Sequence, residues 1–453
     1  MTGGTAPAFD VLVLGGGPAG TAAGLTLLKR PDVRVGLVEG TTYTGHRVGE
    51  SLTPGVRPLL EYLGVWDRFS RGRSLAAFGS QAAWGQPDLG SLDYLFTLHG
   101  NGWSLDRLDF DRMLAEAYER RGGTLFDGTR FVDAERDAEG VWSVRVAGRR
   151  TEPIRARYLV DATGRRAGLA RRLGVVREIH DRLVGIGGVV RLAPGAQVES
   201  TVLVEARPSG WWYSAPVPGQ GLAVVLMSDV DLVHERRAGR PAVWRELLAQ
   251  TEHTRQRLGD ARLPERPAVF DAHSGRLLDA GGDGWVAVGD ALVSHDPLSS
   301  TGIPHALGSG VQGALVAADA LFVEGRMLPA FAEGVAADFQ TYLDTRTRHY
   351  QREGRWPESR FWARRRGRVE LDPHATISAV GDAPWERAGH DVPVHLPAPR
   401  SAELLAACRS GHPVHEAARA FADRHPDLPH QRVILGLQEL VERGAVRLDA
   451  GSG

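Results

Sequence analysis

The stretch 9-FDVLVLGGGPAGTAAGLTLLKR-30 decides the fold. Residues 9–14 are mostly apolar and rich in β-branched side chains, the pattern of a buried parallel strand. They run into 15-GGGPAG-20, and the segment after it, with small residues on one side, reads as a helix. Gly15, Gly17 and Gly20 have the GxGxxG spacing: the first permits a tight turn, the second lets backbone approach a pyrophosphate, and the third lets helix and strand pack closely. Pro18 and Ala19 open the helix, where the missing N–H of Pro18 costs nothing. The helix N-terminus carries roughly half a positive charge, so phosphates sit on it. A second strand, VRVGLVE, ends at Glu39, 19 residues after Gly20. A carboxylate there can accept the ribose hydroxyls of an adenosine. The order strand, glycines, helix, strand, acid predicts a Rossmann-type α/β domain.

Two later segments choose the dinucleotide. In 158-YLVDATGRRAGLARRLG-174 a strand ends at Asp161, with Gly164 in the turn beside the expected adenosine. In 284-GWVAVGDALVSHDPLSSTGIPHALGSG-310 a strand ends at Gly289-Asp290 and a helix starts near Ser299–Gly302. Asp290 can hold the ribityl chain of a flavin. Pro297, Ser300, Thr301, Gly302 and Ile303 place the next helix N-terminus against the flavin edge where negative charge collects on reduction. Three strand ends converging on one elongated cofactor predict FAD rather than NAD. No second GxGxxG follows a strand, so the FAD is expected to be reduced by transient NAD(P)H or by a partner flavin reductase.

The stretch 47-RVGESLTPGVRPLL-60 follows from this. Arg47 is expected to pair with phosphate or flavin oxygen. Glu50 and Ser51 are expected beside the ring, on the side where substrate or oxygen arrives. The competing reading is a surface ion pair between Arg47 and Glu50. His295 and His305 flank the flavin-facing loop, and a histidine there can supply a proton.

The rest of the chain sets the frame. With 453 residues, two or three domains are expected. A net charge of −1 argues against nucleic acid or an anionic membrane as partner. No run of 18 apolar residues exists, so no membrane span is expected, and MTGGTAPAFD is not a signal peptide. Cys408 is the single cysteine, which excludes an internal disulfide and a cysteine metal site. No metal is expected, and a cytoplasmic location is.

The domain plan is as follows. Residues 1–180 form the FAD-binding domain, with a substrate-domain insertion at about 55–105. Residues 181–275 form an antiparallel substrate sheet roofing the flavin, with Trp211 and Tyr213 on one face and Trp212 on the other. Residues 276–345 complete the FAD-binding domain. Residues 346–395 form a lid or linker; in 353-EGRWPESRFWARR-365 the arginine stems otherwise cover apolar surface. Residues 396–453 form a winged-helix-like appendage: Ile434, Leu437, Leu440 and Val441 share a helical stripe, Gly444 ends the helix, and AVRL is a strand. Residues 371–453 hold 8 arginines against 11 acids, the wrong balance for a phosphate footprint.

The GGGPAG start, RVGESLTP, 102-GWSLDRLDFDRML-114, DATGRRAGLARRLG, GWWYSAP and GDALVSHDPLSSTG together resemble the FAD-dependent monooxygenase and tryptophan-halogenase-like superfamily, over roughly residues 8 to 370. The details most resemble a non-halogenating subgroup that includes flavoproteins hydroxylating a tryptophan of a partner enzyme. The resemblance implies the p-hydroxybenzoate hydroxylase architecture and places Arg107 along the FAD. Halogenases of the superfamily use a lysine near the flavin and a Trp-x-Trp-x-Ile-Pro segment. Here the only lysine is Lys29, and the aromatic segment reads Trp211-Trp212-Tyr213-Ser214-Ala215-Pro216. Arginine cannot replace the amine, since it has no free neutral nitrogen.

The expectation is therefore an FAD-dependent monooxygenase. It would act through a flavin C4a-hydroperoxide on an electron-rich aromatic, an indole among the candidates, either small or tethered to a peptide or protein. Glu50, His295, Trp211 and Tyr213 are the candidate catalytic residues. The alternatives are an oxidase or reductase working by hydride transfer, a halogenase, which the missing lysine disfavours, and a flavin-binding DNA regulator.

Overall fold

The computed structural model describes residues 8–45, 47–94, 100–193, 199–365, 371–380, 395–408, 412–442 and 445–449. The strand Phe9–Leu14 lies inside a parallel sheet. Val35–Val38 and then Thr124–Phe126 flank it on one side, and Ile154–Asp161 and then Trp285–Ala287 on the other. The register aligns Leu14, Val38, Asp161 and Ala287 along one edge. Ligands of open α/β sheets bind beyond that edge. Val11 to Leu14 are fully buried, as expected of a strand covered on both faces.

The helix Pro18–Leu27 is buried along its whole length. Its small residues allow this, because the long helix Gly302–Phe322 crosses it closely. A Cβ on Gly310 would lie 2.3 Å from the Ala19 carbonyl oxygen, so only glycine admits this crossing. Gly15 has φ +114°, the turn conformation that glycine supplies.

A second sheet stands over the first. Its order is Ala268–Asp271, Leu183–Val190, Gly221–Asp229, Gly210–Val217, Thr201–Arg207, Gly79–Ala83 and Gly90–Asp93. It is not wholly antiparallel as expected: Thr201–Arg207 and Gly79–Ala83 run parallel, since the latter arrives from a distant part of the chain. The expected insertion divides in two. Gly79–Asp93 joins this sheet, while the helices Arg57–Tyr62 and Trp66–Ser70 send Leu60 and Phe69 into the core of the FAD-binding domain. Alternation holds in the strand Gly210–Val217. Trp211 and Tyr213 share one face, and Trp212 packs behind it against Trp244.

Of the segment expected as a lid or linker, residues 346–365 pack against the second sheet. The helix Met327–Gln351 carries Tyr350, fully buried, and Phe361 and Trp362 follow it against the same sheet face as Trp211. Arg365 pairs with Asp229 and stacks on Phe361, its carbon 3.8 Å from the ring centre. Aromatic burial and these ion pairs fasten the segment down.

At the end of the chain, the helices Ala398–Ala407, Val414–Arg424 and His430–Glu442 precede the strand Val446–Asp449, the expected order. Leu437 and Leu440 are buried, with Ile434 and Val441 beside them. Gly444 lies outside the described residues. The expected linker holds a strand, Thr376–Ala379, which pairs with Val446–Asp449 and places Ile377 in the same small core. Among the described residues no helix is long and apolar enough to cross a membrane, and no cluster of metal-ligating side chains occurs.

Candidate active site

A cleft of about 500 Å³ runs from the first glycine turn to the underside of the second sheet. Gly17, Pro18 and Ala19 line its start. The helix they open has no side-chain cap, so its first N–H groups are available to a phosphate. A Cβ on Gly17 would meet nothing within 4 Å, so its face opens onto the cleft. Gly15 and Gly20 do not line it; they shape the turn behind, where a Cβ on Gly20 would lie 1.8 Å from the Gly15 carbonyl oxygen.

Glu39 also lies behind the wall. Its carboxylate accepts from the Gly16 N–H at 2.8 Å, from Thr41 Oγ1 at 2.6 Å and from Arg47 Nη2 at 2.9 Å. It braces the turn from within and is not part of the cleft lining.

Arg47 lines the cleft, but its partners are Glu39 and Asp111, not Glu50. Asp111 is fully buried and lies 2.6 Å from Arg47 Nη1 and 3.3 Å from Arg107 Nη2. Burial disfavours the Arg47 cation, but the Asp111 and Glu39 charges outweigh it and hold its pKa above the usual value. Arg107 lines the cleft and donates to the Val48 carbonyl at 2.6 Å. Two arginines thus flank the path from the phosphate end to the residues Glu50 and Ser51, which also face the cleft.

Gly164 lines the cleft while Asp161 does not. Asp161 was expected to contact the cofactor. Instead its carboxylate turns inward and accepts from Thr163 Oγ1 at 2.6 Å and from the N–H groups of Leu169 and Ala170 at 3.0 and 2.9 Å. It caps the helix Gly168–Arg172, where an anion is favoured.

Asp290 lines the cleft and pairs with Arg165 at 3.4 Å. Pro297, Ser300, Gly302 and Ile303 face the cleft at its far end. Ser300 has φ +50°, and the helix Gly302–Phe322 starts without a side-chain cap, so its N–H groups also point at open space. A Cβ on Gly302 would meet nothing within 4 Å. Thr301 is not in the lining; its hydroxyl lies 3.2 Å from His295 Nδ1.

His295 lines the cleft and packs its ring 4.7 Å from that of His305. Burial, then His305 and Arg165, pull its pKa down to about 3. At neutral pH it is an uncharged imidazole, and burial also lowers His305. The expected store of a proton on a histidine here is opposed by the surroundings. Glu50, 3% exposed, is shifted the other way, because burial disfavours its carboxylate.

Tyr213, Val225, Met227 and Phe270 of the second sheet roof the cleft. Trp211 does not reach it. It is fully buried, and its Nε1–H donates to the Tyr350 hydroxyl at 3.0 Å.

The sequence reading missed Asp111, Arg165 and Asp296. Asp111 stands four residues after Arg107 on one helix, a spacing that signals an ion pair. Arg165 lies in the quoted DATGRR. Asp296 is fully buried at the cleft edge and takes hydrogen bonds from Tyr350 and Arg346; a single aspartate in a loop carries no such signal.

Comparison with known proteins gives the family. Residues 8–312 match the model of the FAD binding domain family. The chain belongs to that family and is an FAD-dependent oxidoreductase. LodB of Marinomonas mediterranea, whose name carries an expected FAD-dependent oxidoreductase activity, is 33% identical over 367 residues, which is 79% of this chain and 96% of LodB. A tryptophan 2-halogenase of Chondromyces crocatus is 29% identical over 67% of this chain and 60% of its own length, and the sulochrin halogenase gedL of Aspergillus terreus 24% identical over 67% and 62%. Among solved structures, the myxobacterial chondrochloren halogenase CndH superposes with a TM-score of 0.73 at 20% identity, over 96% of this chain and 97% of CndH. The peptidyl tryptophan dihydroxylase QhpG superposes with a TM-score of 0.62 at 22% identity, over 96% and 99%. At such identities the two structures show the fold.

The residues present fit FAD. Two uncapped helix N-termini open onto one elongated cleft, at its phosphate end and its flavin end, with glycines that leave space there and arginines between. Gly17 to Ala19 would hold the pyrophosphate, Arg47 and Arg107 its flank, Asp290 the ribityl chain, and Pro297, Ser300, Gly302 and Ile303 the flavin ring.

Proposed function

We propose that the chain is a monooxygenase that hydroxylates an electron-rich aromatic ring, with an indole on a peptide or protein as the leading substrate class. Bound FAD, once reduced by NAD(P)H or a partner flavin reductase, supplies the activation of oxygen. The protein supplies the rest. Arg47, Arg107 and the two helix ends hold the cofactor. Tyr213, Val225, Met227 and Phe270 give the reacting ring an apolar roof and keep water out. Glu50 is the group in this cleft whose surroundings favour retaining a proton.

The observation that carries the reading is the place of the only side-chain amine. Lys29 follows the helix Pro18–Leu27 at its far end, about 15 Å along the axis from the glycine turn. Its Nζ donates to the Tyr62 carbonyl at 2.8 Å. No amine lines the cleft to take up a halogen. Titratable groups and an apolar roof remain, a set suited to hydroxylation. The name of QhpG, a peptidyl tryptophan dihydroxylase, supports a tethered indole.

The test is a single turnover of the reduced holoprotein with tryptophan-containing peptides, isotopically labelled dioxygen and bromide. Label in the peptide product is the expected result. A brominated peptide would establish halogenation instead. Substrate oxidised without label would establish hydride transfer. Either result overturns the proposal.

A further inference from the structure

The polar side chains of the cleft are almost all committed to one another. Arg47 and Arg107 share Asp111, Arg165 holds Asp290 and the carbonyls of His273 and His295, and Asp296 holds Arg346 and Tyr350. Of the rest, the two that are buried are Glu50 and Tyr213, which line the cleft at 3% and 9% exposure. Among the described residues no side chain hydrogen-bonds to either one. Only the N–H groups of Gly49 and of Glu50 itself lie against the Glu50 carboxyl. Both face the same cleft.

A buried polar group short of partners is costly, and native interiors seldom hold one without a use. Packing does not call for these two. The strand pairing at Ser51–Leu52 uses backbone alone, and the Glu50 carbonyl already accepts from Leu105 N–H. A leucine and a phenylalanine would fill the same places without the cost. Each group lies beside an apolar roof of Val225, Met227 and Phe270. A pocket of apolar walls with a few convergent polar groups is the form of a small-molecule site.

We propose that Glu50 and Tyr213 clip the one polar atom of the substrate ring, so that the site selects an aromatic carrying an unsubstituted ring N–H or O–H. An indole or a phenol donates to Glu50, and Tyr213 completes the contact through its hydroxyl. A ring alkylated at that atom loses the contact to both groups. A site built to hydrogen-bond a substrate N–H or O–H rejects the analogue that lacks it more strongly than a merely apolar pocket can. This inference rests on the proposed function, in that the ring is the substrate of the same site.

The test is equilibrium binding to the oxidised FAD holoprotein, read by perturbation of the flavin absorbance, so that no turnover is needed. The probes are indole against 1-methylindole and phenol against anisole. In at least one pair the parent should bind about 5- to 150-fold more tightly than its methylated partner. Glu50→Gln and Tyr213→Phe should each narrow that gap, with retained FAD content and melting temperature as the check on folding. Equal affinity within both pairs overturns the proposal, and so does a gap that survives both substitutions. Failure of all four probes to perturb the flavin also counts against it. The two readings separate cleanly. Labelled oxygen in the product without a methylation gap removes only the clip. A gap without oxygen transfer keeps the clip and removes the monooxygenase.

Discussion

The Tyr350 hydroxyl donates to the Asp296 carboxylate at 2.7 Å, across 54 residues of sequence. Asp296 also accepts from Arg346 Nε at 3.2 Å and from the Leu298 N–H at 3.0 Å. Tyr350 in turn accepts from Trp211. One aspartate therefore ties the loop at the flavin end of the cleft to the last turns of a long helix and, through Tyr350, to the roof. Tyr350→Phe should cost about 1–3 kcal/mol by leaving a buried acceptor and donor unpaired. Asp296→Ala should cost at least as much, because Tyr350 and Arg346 both lose an acceptor, although Arg346 keeps Asp181 at 2.9 Å. Urea unfolding of the holoprotein checks both; equal, near-zero effects would contradict the arrangement.

The crossing of Pro18–Leu27 and Gly302–Phe322 makes a paired prediction within one helix. Gly310→Ala places a methyl 2.3 Å from the Ala19 carbonyl oxygen and must push the helices apart. Overpacking of this kind costs about 1–3 kcal/mol, and both helix N-termini that face FAD move with it. Gly308→Ala meets nothing within 4 Å and should be neutral or stabilising by up to about 1 kcal/mol through helix propensity. Thermal unfolding and FAD retention on gel filtration should separate the two variants.

Arg47 makes a prediction about the cofactor. Arg47→Met removes the pairs to Glu39 and Asp111 and leaves Asp111 to Arg107 alone. Charge-assisted hydrogen bonds are worth about 1.5–3 kcal/mol, so FAD should bind at least about 10-fold more weakly. Flavin fluorescence titration of the deflavinated protein measures this. Unchanged affinity would mean that Arg47 serves the fold and not the cofactor.

The buried histidines set an acid limit. Burial lowers His273, His295 and His305 below the ordinary value of 6.5, His295 to about 3. Between these values the unfolded chain binds protons that the folded chain refuses. Their contribution to stability is therefore complete above about pH 6.5 and falls as the pH drops, for His295 by about 1.4 kcal/mol per pH unit down to about 3. His295→Gln should flatten the decline of melting temperature between pH 6.5 and 4. A parallel decline in both proteins would contradict the assignment.

What the sequence discloses is what local chemistry compels. FDVLVL and GGGPAG specify a strand, a turn at positive φ and a close-packed helix, and no distant residue is needed to read them. The uncapped start at Gly302 is visible for the same reason. The partner of Arg47 was not visible, because Glu50 is near in sequence whereas Asp111 is near in space, 64 residues away. Asp161 was misread since a strand-end carboxylate can turn toward a ligand or toward the next helix, and the amides of Leu169 and Ala170 decided it. Alternation placed Trp211 and Tyr213 on the correct face, but not their depth: the residues around Tyr350 and Trp362 cover Trp211 and leave Tyr213 at the cleft. The segment 353–365 reads as a surface feature because of its arginines, but their acceptors, Asp229 and Asp231, lie at the end of a strand of the second sheet and on the helix Val230–Arg236 that follows it.

Lys29 sits with its nitrogen 3.1 Å from the centre of the Tyr62 ring. A dye or linker chosen to couple with side-chain amines finds one address on this molecule, and that address is remote from the cleft. Once the α-amine is blocked, the protein can therefore be fixed to a bead or tagged with a fluorophore at one point, its cofactor groove left open to solution.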